Sequence, residues 1–304
     1  MKAELKQKKP AGRLMRKESL WAYLFISPFA IGLGIFYIYS FIQNIYFSFT
    51  DKKIFGEPHF IGLDNYIKLF SNSRFWSATG NTFLYVMICV PAVMILSIFL
   101  AVLLNSKIRL TGLYRTLIFI PAVTMPAAIG LVWRWMMNYE FGLFNAIFAK
   151  LGLEPVAWLS DPRFALLSVC IVLIWTDVST RMVILLAGLQ GIPAVYYEAA
   201  KIDGAGPVAR FFRITLPLLS PTVFFCLLME TIGVFQIFDF IYLMIRANTS
   251  GALASRSLVV LFYNEAFVTT YQGYAAAITV VLFVIILAIT IIQMATRRYW
   301  VHEE

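Results

Sequence analysis

The sequence is poor in the residues that carry most enzyme chemistry. Its 304 residues include two histidines, His59 and His302, and three cysteines, Cys89, Cys170 and Cys226. All three cysteines lie in apolar stretches without CxxC spacing, so neither a disulfide framework nor a metal site is expected. The two histidines support neither an HExxH motif nor a Ser–His–Asp grouping. Enzyme activity is therefore a weak hypothesis from the start.

A phosphate-binding loop of the form GxxxxGK[ST] is also missing from the sequence. Without it, the chain lacks the usual means of binding ATP. We predict no catalytic residues, no metal and no cofactor for this chain. A membrane hydrolase that uses Asp177 and Glu230 stays open as an alternative, although paired carboxylates are also common in transport paths.

Charged residues are scarce, and this scarcity decides the class of protein. They make up 13% of the chain, against 61% hydrophobic residues and a mean hydropathy of +0.79. A soluble domain has about a quarter of its residues charged, and a membrane-spanning helix needs about 20 apolar ones. We therefore predict an all-α polytopic membrane protein with about six transmembrane helices. The predicted spans are residues 20–48, 79–104, 112–138, 165–188, 215–240 and 272–296.

The distribution of Lys and Arg predicts the orientation. With the amino terminus inside, the inner segments carry fifteen of these residues and the outer loops carry eight. This bias predicts that both termini are cytoplasmic. The apolar stretch after residue 19 is too long for a signal peptide, so we expect it to be retained as the first span. The basic residues flank membrane spans, and no nucleic-acid partner is expected.

A few ionisable and polar residues interrupt the apolar spans and are candidates for substrate binding. Asp177 and Arg181 are four residues apart, which places them on one helix face and allows an ion pair. Glu230 has no cation within a helical turn, which favours a functional role. Carboxylates and amides bind sugar hydroxyls, and aromatic rings can stack on a pyranose. The predicted substrate-binding residues are Thr176, Asp177, Thr180, Glu230, Phe235 and Gln236.

A short charged segment, Glu198 to Pro217, connects two of the apolar spans. Gly204 and Gly206 allow a turn at positive φ, and Pro207 is suited to the start of a second short helix through Arg213. We expect this helix–turn–helix to lie flat at the inner face, with Lys201, Asp203, Arg210 and Arg213 exposed. Small residues recur around the turn, where another surface could approach closely.

This segment resembles the EAA loop of ABC-importer permeases at each of its anchor positions. The matching residues are Glu198, Ala199, Ala200, Gly204, Ile214, Leu216 and Pro217. The stretches FIGLDNYIKLF, Asn81-Thr82, Phe119-Ile120-Pro121 and YQGYAAAI resemble the maltose and multiple-sugar permease family, on the larger-permease side of its subunit pairs. The chain lacks the large extra domain and additional amino-terminal spans of the maltose permease of enteric bacteria.

The resemblance implies the fold and the partners. The expected fold is the ABC type I importer permease, divided into a cytoplasmic basic tail (1–19), a transmembrane permease domain (20–296) with its coupling loop at 190–217, and a cytoplasmic tail (297–304). The implied partners are a second homologous permease, two ABC ATPase subunits that use ATP and Mg, an extracellular or periplasmic sugar-binding protein, the sugar and membrane lipid. The implied location is the bacterial or archaeal cytoplasmic membrane.

The implied ATPase-coupling residues are Glu198, Ala199, Ala200, Asp203, Gly204, Ile214, Leu216 and Pro217.

The resemblance implies a carbohydrate importer that works by alternating access, without an ATPase site of its own. One alternative is an ABC permease for a polyol or for glycerol phosphate, although two mid-membrane carboxylates do not suit an anion. Another is a proton-coupled secondary transporter that uses Asp177 or Glu230, which predicts uptake without an ATPase.

Overall fold

The computed structural model describes residues 12–106 and 110–301. Most of the predicted basic tail, the last three residues and the inner-loop cations Lys107 and Arg109 lie outside the described residues. The described chain folds into α-helices, joined by loops that contain one isolated antiparallel bridge between Thr50 and Phe60.

Fifteen α-helices follow one another along the described chain. They are α1 (Gly12–Leu33), α2 (Ser40–Ser48), α3 (Asp64–Ser71), α4 (Ser73–Asn105), α5 (Thr111–Val123), α6 (Pro126–Met136), α7 (Leu143–Lys150), α8 (Ala165–Gln190), α9 (Ala194–Ile202), α10 (Pro207–Arg210), α11 (Leu216–Phe235), α12 (Asp239–Met244), α13 (Ser250–Ser255), α14 (Leu258–Tyr263) and α15 (Gln272–Trp300). Three π-helical segments adjoin them: Gly34–Tyr39, Phe211–Thr215 and Asn264–Val268.

Five helical segments of the described chain are long and apolar enough to cross a membrane, and a sixth crossing is made by a bent pair. The five are Trp21–Ser48, Ser73–Asn105, Ala165–Gln190, Pro207–Phe235 and Gln272–Trp300. The pair α5 and α6 meets at an angle of 97°. The count and the helical class confirm the predicted all-α polytopic fold.

Two arginines show that the bent pair carries the chain from one end of the bundle to the other. Arg115 of α5 donates to the carbonyl of Leu104, in the last turn of α4, at 3.3 Å. Arg134, near the end of α6, donates to the carbonyl of Leu243 in α12, also at 3.3 Å. Since α12 follows the end of α11, these two contacts lie at opposite ends. The end with residues 190–217 is called the loop end, and the other is called the far end.

The bend interrupts the predicted span over residues 112–138, which the structure divides into two helices. The break falls at Thr124 and Met125, and Pro126 begins α6. A residue before proline avoids the α conformation because the proline ring clashes with its backbone, and Met125 accordingly has ψ of 127°. Proline at the first turn loses no helical hydrogen bond.

The far end is ordered by two buried asparagines. Asn65 of α3 donates to the carbonyls of Ser48 and Thr50, at 2.9 and 2.8 Å. Asn145 of α7 donates to two loop carbonyls and accepts from the backbone of Val156 and the indole of Trp158. Both helices lie in loops between predicted spans, α3 in the first outer loop and α7 in the loop before α8.

The centre of the bundle is formed by α4, α8 and α11, and the first span lies at its edge. The Ser97 hydroxyl of α4 donates to the carbonyl of Val178 in α8 at 3.3 Å. None of the most apolar stretch of the first span is buried. It touches α15 through Asn44, which donates to Thr279 at 2.9 Å, and through Phe41. Most of its surface is therefore open to lipid or to another subunit.

Gly188 lets α8 and α11 approach closely. We therefore expect the stability of the chain to fall when a larger side chain occupies this position. A Cβ on Gly188 would lie 2.7 Å from Oγ1 of Thr222 and 2.9 Å from Cδ1 of Leu219. We expect Gly188→Val to cost about 1–3 kcal/mol, the usual cost of overpacking, seen as a lower unfolding midpoint in detergent. Gly233→Val in α11 is the matched control, because a Cβ there meets nothing within 4 Å. Equal midpoints for the two variants would contradict the close crossing.

Candidate functional site

A buried ion pair joins α8 to α11 in the centre of the bundle. Arg181 Nε lies 2.7 Å from Glu230 Oε2, and the two side chains are 16% and 1% exposed. This corrects one prediction, because Arg181 makes its ion pair with Glu230 of α11 and not with Asp177 on its own helix. Glu230 has no cation within a turn of its own helix, as stated above, but α8 supplies one.

Asp177 lies beside this pair. It is close enough to interact electrostatically with both Glu230 and Arg181, and it is only partly buried. Glu230 Oε1 is buried and accepts no hydrogen bond within the described part of the chain. Two carboxylates and one guanidinium therefore share an apolar environment, where charges usually face a partner or a wet path.

The remaining predicted substrate-binding residues do not all face one space. Thr180 and Gln236 are exposed, whereas the Thr176 hydroxyl donates back to the carbonyl of Val172 at 2.9 Å. Phe235 is fully buried and meets Phe83 edge-on at 5.3 Å. In this conformation Phe235 is part of the packed core and offers no face to a sugar.

Sequence reasoning missed a second polar contact near this site. Gln293 of α15 donates to Oγ1 of Thr231, the residue after Glu230, at 2.9 Å. The Gln293 Oε1 atom is buried without a hydrogen-bond partner among the described residues. The signal was present, since Gln293 is an amide within the apolar stretch of the last span, where a polar side chain has a high cost.

At the loop end, the predicted turn is confirmed at Gly204 but not at Gly206, which has φ of −70° in an extended conformation. The chain ends α9 with Gly204 at φ of +76°, a conformation that favours glycine. The Gly204 N–H donates to the carbonyl of Lys201 at 3.1 Å, and the Ala205 N–H donates to that of Ala200 at 2.8 Å. This pair of bonds is the Schellman motif, which satisfies carbonyls at a helix end.

The outer surface of this turn exposes apolar residues next to charged ones. Glu198, Asp203 and Gly204 are exposed, and Ile202 and Val208 on either side of the turn are 87% and 70% exposed. A Cβ on Gly204 would meet nothing within 4 Å. Ala199 is exposed as well, whereas Ala200 is buried against the bundle. Small, apolar and acidic groups thus form one accessible surface, called the turn surface below.

The second half of the loop differs from the prediction. Its helix does not end before the span: α10, the π-helical segment and α11 form one helical segment from Pro207 to Phe235. Oγ1 of Thr215 lies 3.0 Å from the Tyr197 hydroxyl, which ties this segment to α9. Arg210 is half-buried, contrary to expectation, whereas Lys201, Asp203 and Arg213 are exposed as predicted.

Three of the predicted coupling residues belong to this continuous segment. Ile214, Leu216 and Pro217 are partly buried where it leaves the turn. A cavity of about 520 Å³ lies beneath the loop, between α9 and the ends of α4 and α8. The turn surface is thus joined to Glu230 by one helical segment.

The groups in these two regions can form hydrogen bonds and surface contacts. In the described ranges, no group of three or more His, Cys, Asp or Glu residues is arranged to hold a metal ion. The central carboxylates can accept hydrogen bonds from hydroxyl groups, and the turn surface can dock in a complementary cleft.

Comparisons with known proteins agree on one family. The family described as "Binding-protein-dependent transport system inner membrane component" matches residues 66–299. The "Probable ABC transporter permease protein YesP" of Bacillus subtilis is 38% identical over 96% of this chain and 95% of its own. The "Trehalose/maltose transport system permease protein MalF" of Thermococcus litoralis is 34% identical over 94% and 97%. A chain of the bacterial alginate ABC transporter, solved in complex with an alginate pentasaccharide-bound periplasmic protein, shares the fold. Its TM-score is 0.84 at 20% identity, over 93% of this chain and 96% of its own.

Proposed function

The chain belongs to the family of binding-protein-dependent transport system inner membrane components, and on that basis we propose its place in a complete importer. It is the transmembrane permease subunit of a carbohydrate importer, driven by ATP that a separate subunit hydrolyses. The family match across residues 66–299 carries this proposal, and relatives at 34–38% identity over nearly the whole chain support it.

The carbohydrate class is supported by the relative named for trehalose and maltose and by the central polar groups. Asp177 is partly accessible beside the Arg181–Glu230 ion pair, and Thr180 is exposed on the same helix. Sugar hydroxyls donate to carboxylates and accept from amides. In this role Asp177 touches the sugar, and the Arg181–Glu230 pair positions α8 against α11.

The turn surface supports separate roles for this chain and for the ATPase subunit. We assign it to the cytoplasmic side, as the Lys and Arg bias predicts, where it docks in a cleft of the ATPase. Glu198 meets a basic group there, Gly204 leaves room for the approach, and Ile202 and Val208 supply apolar contact. ATP and Mg are held by the ATPase and not by this chain.

We assign the remaining partners as the family resemblance implies them. A second homologous permease and lipid cover the exposed first span, and two copies of the ATPase serve the two permeases. A sugar-binding protein delivers substrate at the far end, which faces the outside of the bacterial or archaeal cytoplasmic membrane. ATP binding closes the ATPases, the closure moves the turn surface, and the helical segment Pro207–Phe235 transmits the movement.

Purification from native membranes tests this proposal. An affinity tag on this chain is expected to co-purify an ABC ATPase and a second permease, and the complex is expected to hydrolyse ATP in a vanadate-sensitive way. The purified chain alone is the control and should show no hydrolysis. Uptake by the chain alone, driven by a pH gradient and abolished by a protonophore, would instead indicate a proton-coupled transporter.

A further inference from the structure

Three arginines converge on one cavity at the far end. Arg134 at the end of α6, Arg246 after α12 and Arg256 after α13 line a space of about 420 Å³, together with Tyr242 and Asn264. Arg134 and Arg246 also line an adjoining cavity of about 270 Å³. These three arginines are called the outer arginine cluster. The sequence assigned Arg246 and Arg256 to loops and Arg134 to a span end, so only the fold brings them together.

The cluster carries positive charge without a carboxylate partner. Within residues 12–106 and 110–301, the ion pairs under 4 Å join Asp51 to His59, Asp161 to Arg163 and Arg181 to Glu230. The larger cavity has no acidic residue in its lining, and the smaller one has Glu140. Arg246 is exposed and the other two arginines are partly buried, so their N–H donors are open to an oxyanion that enters the cavity.

The environment of Arg256 agrees with this interpretation. Its half-buried position lowers the pKa of its guanidinium, the positive charge of Arg74 lowers it further, and Glu265 opposes the shift more weakly. Arg134 donates one N–H to the Leu243 carbonyl, which leaves its other N–H donors for a ligand. Guanidinium groups bind carboxylates and other oxyanions through paired N–H donors, with both geometry and charge in their favour.

An aromatic platform stands beside the arginines. The rings of Phe238 and Tyr242 stack at 5.1 Å with 19° between their planes, and Tyr263 lies 5.0 Å from each. Tyr242 is 50% exposed and lines the arginine cavity. An exposed aromatic ring next to oxyanion donors fits a sugar ring that carries an acidic group, because the apolar ring face and the anion are bound by adjacent surfaces.

We propose that the outer arginine cluster is a subsite for an acidic carbohydrate, which it binds at the far end before the sugar reaches Asp177 at the centre of the bundle. The inference rests on the proposed transport function and specifies its substrate class. The acidic group is held at the mouth by Arg134, Arg246 and Arg256. Asp177 lies deeper, near the middle of α8, and faces the neutral hydroxyl groups of the same oligosaccharide, while Glu230 stays paired with Arg181. This separation removes the objection that the central carboxylates repel an anion.

Uptake of matched acidic and neutral disaccharides by the complete importer tests the proposal. The acidic probes are digalacturonate, dimannuronate and a glucuronate-containing disaccharide, each compared with its neutral counterpart. Arg246→Gln is expected to lower uptake of the transported acidic probe by about 10-fold, since each charge-assisted contact is worth at least a factor of ten. Uptake of the neutral sugars should change less than twofold. Arg163→Gln is the control, because Arg163 lies at the same end but pairs with Asp161.

A second variant distinguishes loss of ligand binding from a purely structural effect. Arg246→Lys keeps the charge but loses the paired donors, so it should retain part of the acidic preference at low ionic strength and lose it as salt rises. The proposal is overturned if none of the acidic probes is preferred over its neutral counterpart. It is also overturned if Arg246→Gln lowers both classes equally by weakening attachment of the second permease or the binding protein. ATP-dependent uptake of neutral sugar with no acidic preference would leave the transport function standing and reject the subsite alone.

Discussion

Arg181→Met is expected to destabilise the membrane domain by about 3–5 kcal/mol, the usual cost of leaving one member of a buried ion pair without its partner. Glu230 is 1% exposed and lies 2.7 Å from the guanidinium that the substitution removes. Asp177 nearby then adds a repulsion between like charges. The expected result is a large fall in the unfolding midpoint of the purified chain in detergent, together with loss of sugar uptake.

The double variant Arg181→Met with Glu230→Gln separates charge from packing. It removes both charges and is expected to recover most of the lost stability, since apolar or neutral replacement of a whole buried pair is often tolerated. Arg163→Met is the matched control, because its ion pair with Asp161 has the same 2.7 Å separation but an exposed arginine. Such surface pairs contribute little, so its midpoint should hardly move. An unchanged midpoint for Arg181→Met would show that Glu230 does not depend on this partner.

Gly204→Asp is expected to abolish transport while the chain still inserts and folds. A Cβ added at Gly204 meets nothing within 4 Å of its own chain, and aspartate tolerates positive φ better than most residues. The loss therefore arises where the turn surface meets the ATPase. A defect at the centre of such an interface costs at least about 2 kcal/mol, which is a loss of docking of about 30-fold. Coupled ATP hydrolysis and uptake measure it.

The far end offers a matched control for both backbone strain and charge. Gly152 has φ of +70° and equally open surroundings, so Gly152→Asp reproduces the strain on the opposite side of the membrane domain. We expect the Gly152→Asp variant to transport normally. At the turn itself, Gly204→Asn adds a side chain of similar size without the charge, and so separates the effect of size from that of charge.

Charge reversal on the turn surface is a further test of coupling. Glu198→Lys is expected to stop transport without loss of insertion, because it places like charge against the basic group of the ATPase. Glu154→Lys, at an exposed position of the far end, is the control and should have no effect. Normal uptake by both Gly204→Asp and Glu198→Lys would contradict the coupling role of the turn surface.

The turn was predictable from the sequence because its conformation is set locally. Glycine is the residue that adopts positive φ at little cost, and proline is suited to the first turn of a helix. Gly204 and Pro207 occupy those positions in the structure. The continuation of α10 into α11 was not predictable in the same way, because the charged residues near Arg213 resemble a helix end by composition.

The central ion pair shows where local reasoning fails. The spacing of Asp177 and Arg181 permits a contact on one helix, but an i, i+4 pair contributes only a few tenths of a kcal/mol. Glu230, buried in an apolar core, gains far more from a cation, so Arg181 pairs with it across the helix interface. Sequence spacing contains no information about which helix packs against α8, and the prediction therefore chose the wrong partner.

The sequence by itself determined the membrane class, the count of about six crossings and the family. These follow from long apolar runs and from the EAA loop residues, which are properties of single segments. Tertiary structure alone decided that Arg181 meets Glu230, that Phe235 is core, and that Arg134, Arg246 and Arg256 share a cavity. Those contacts join residues that are distant in the sequence or bury a residue in the common core. They are determined by the way in which whole helices pack against one another.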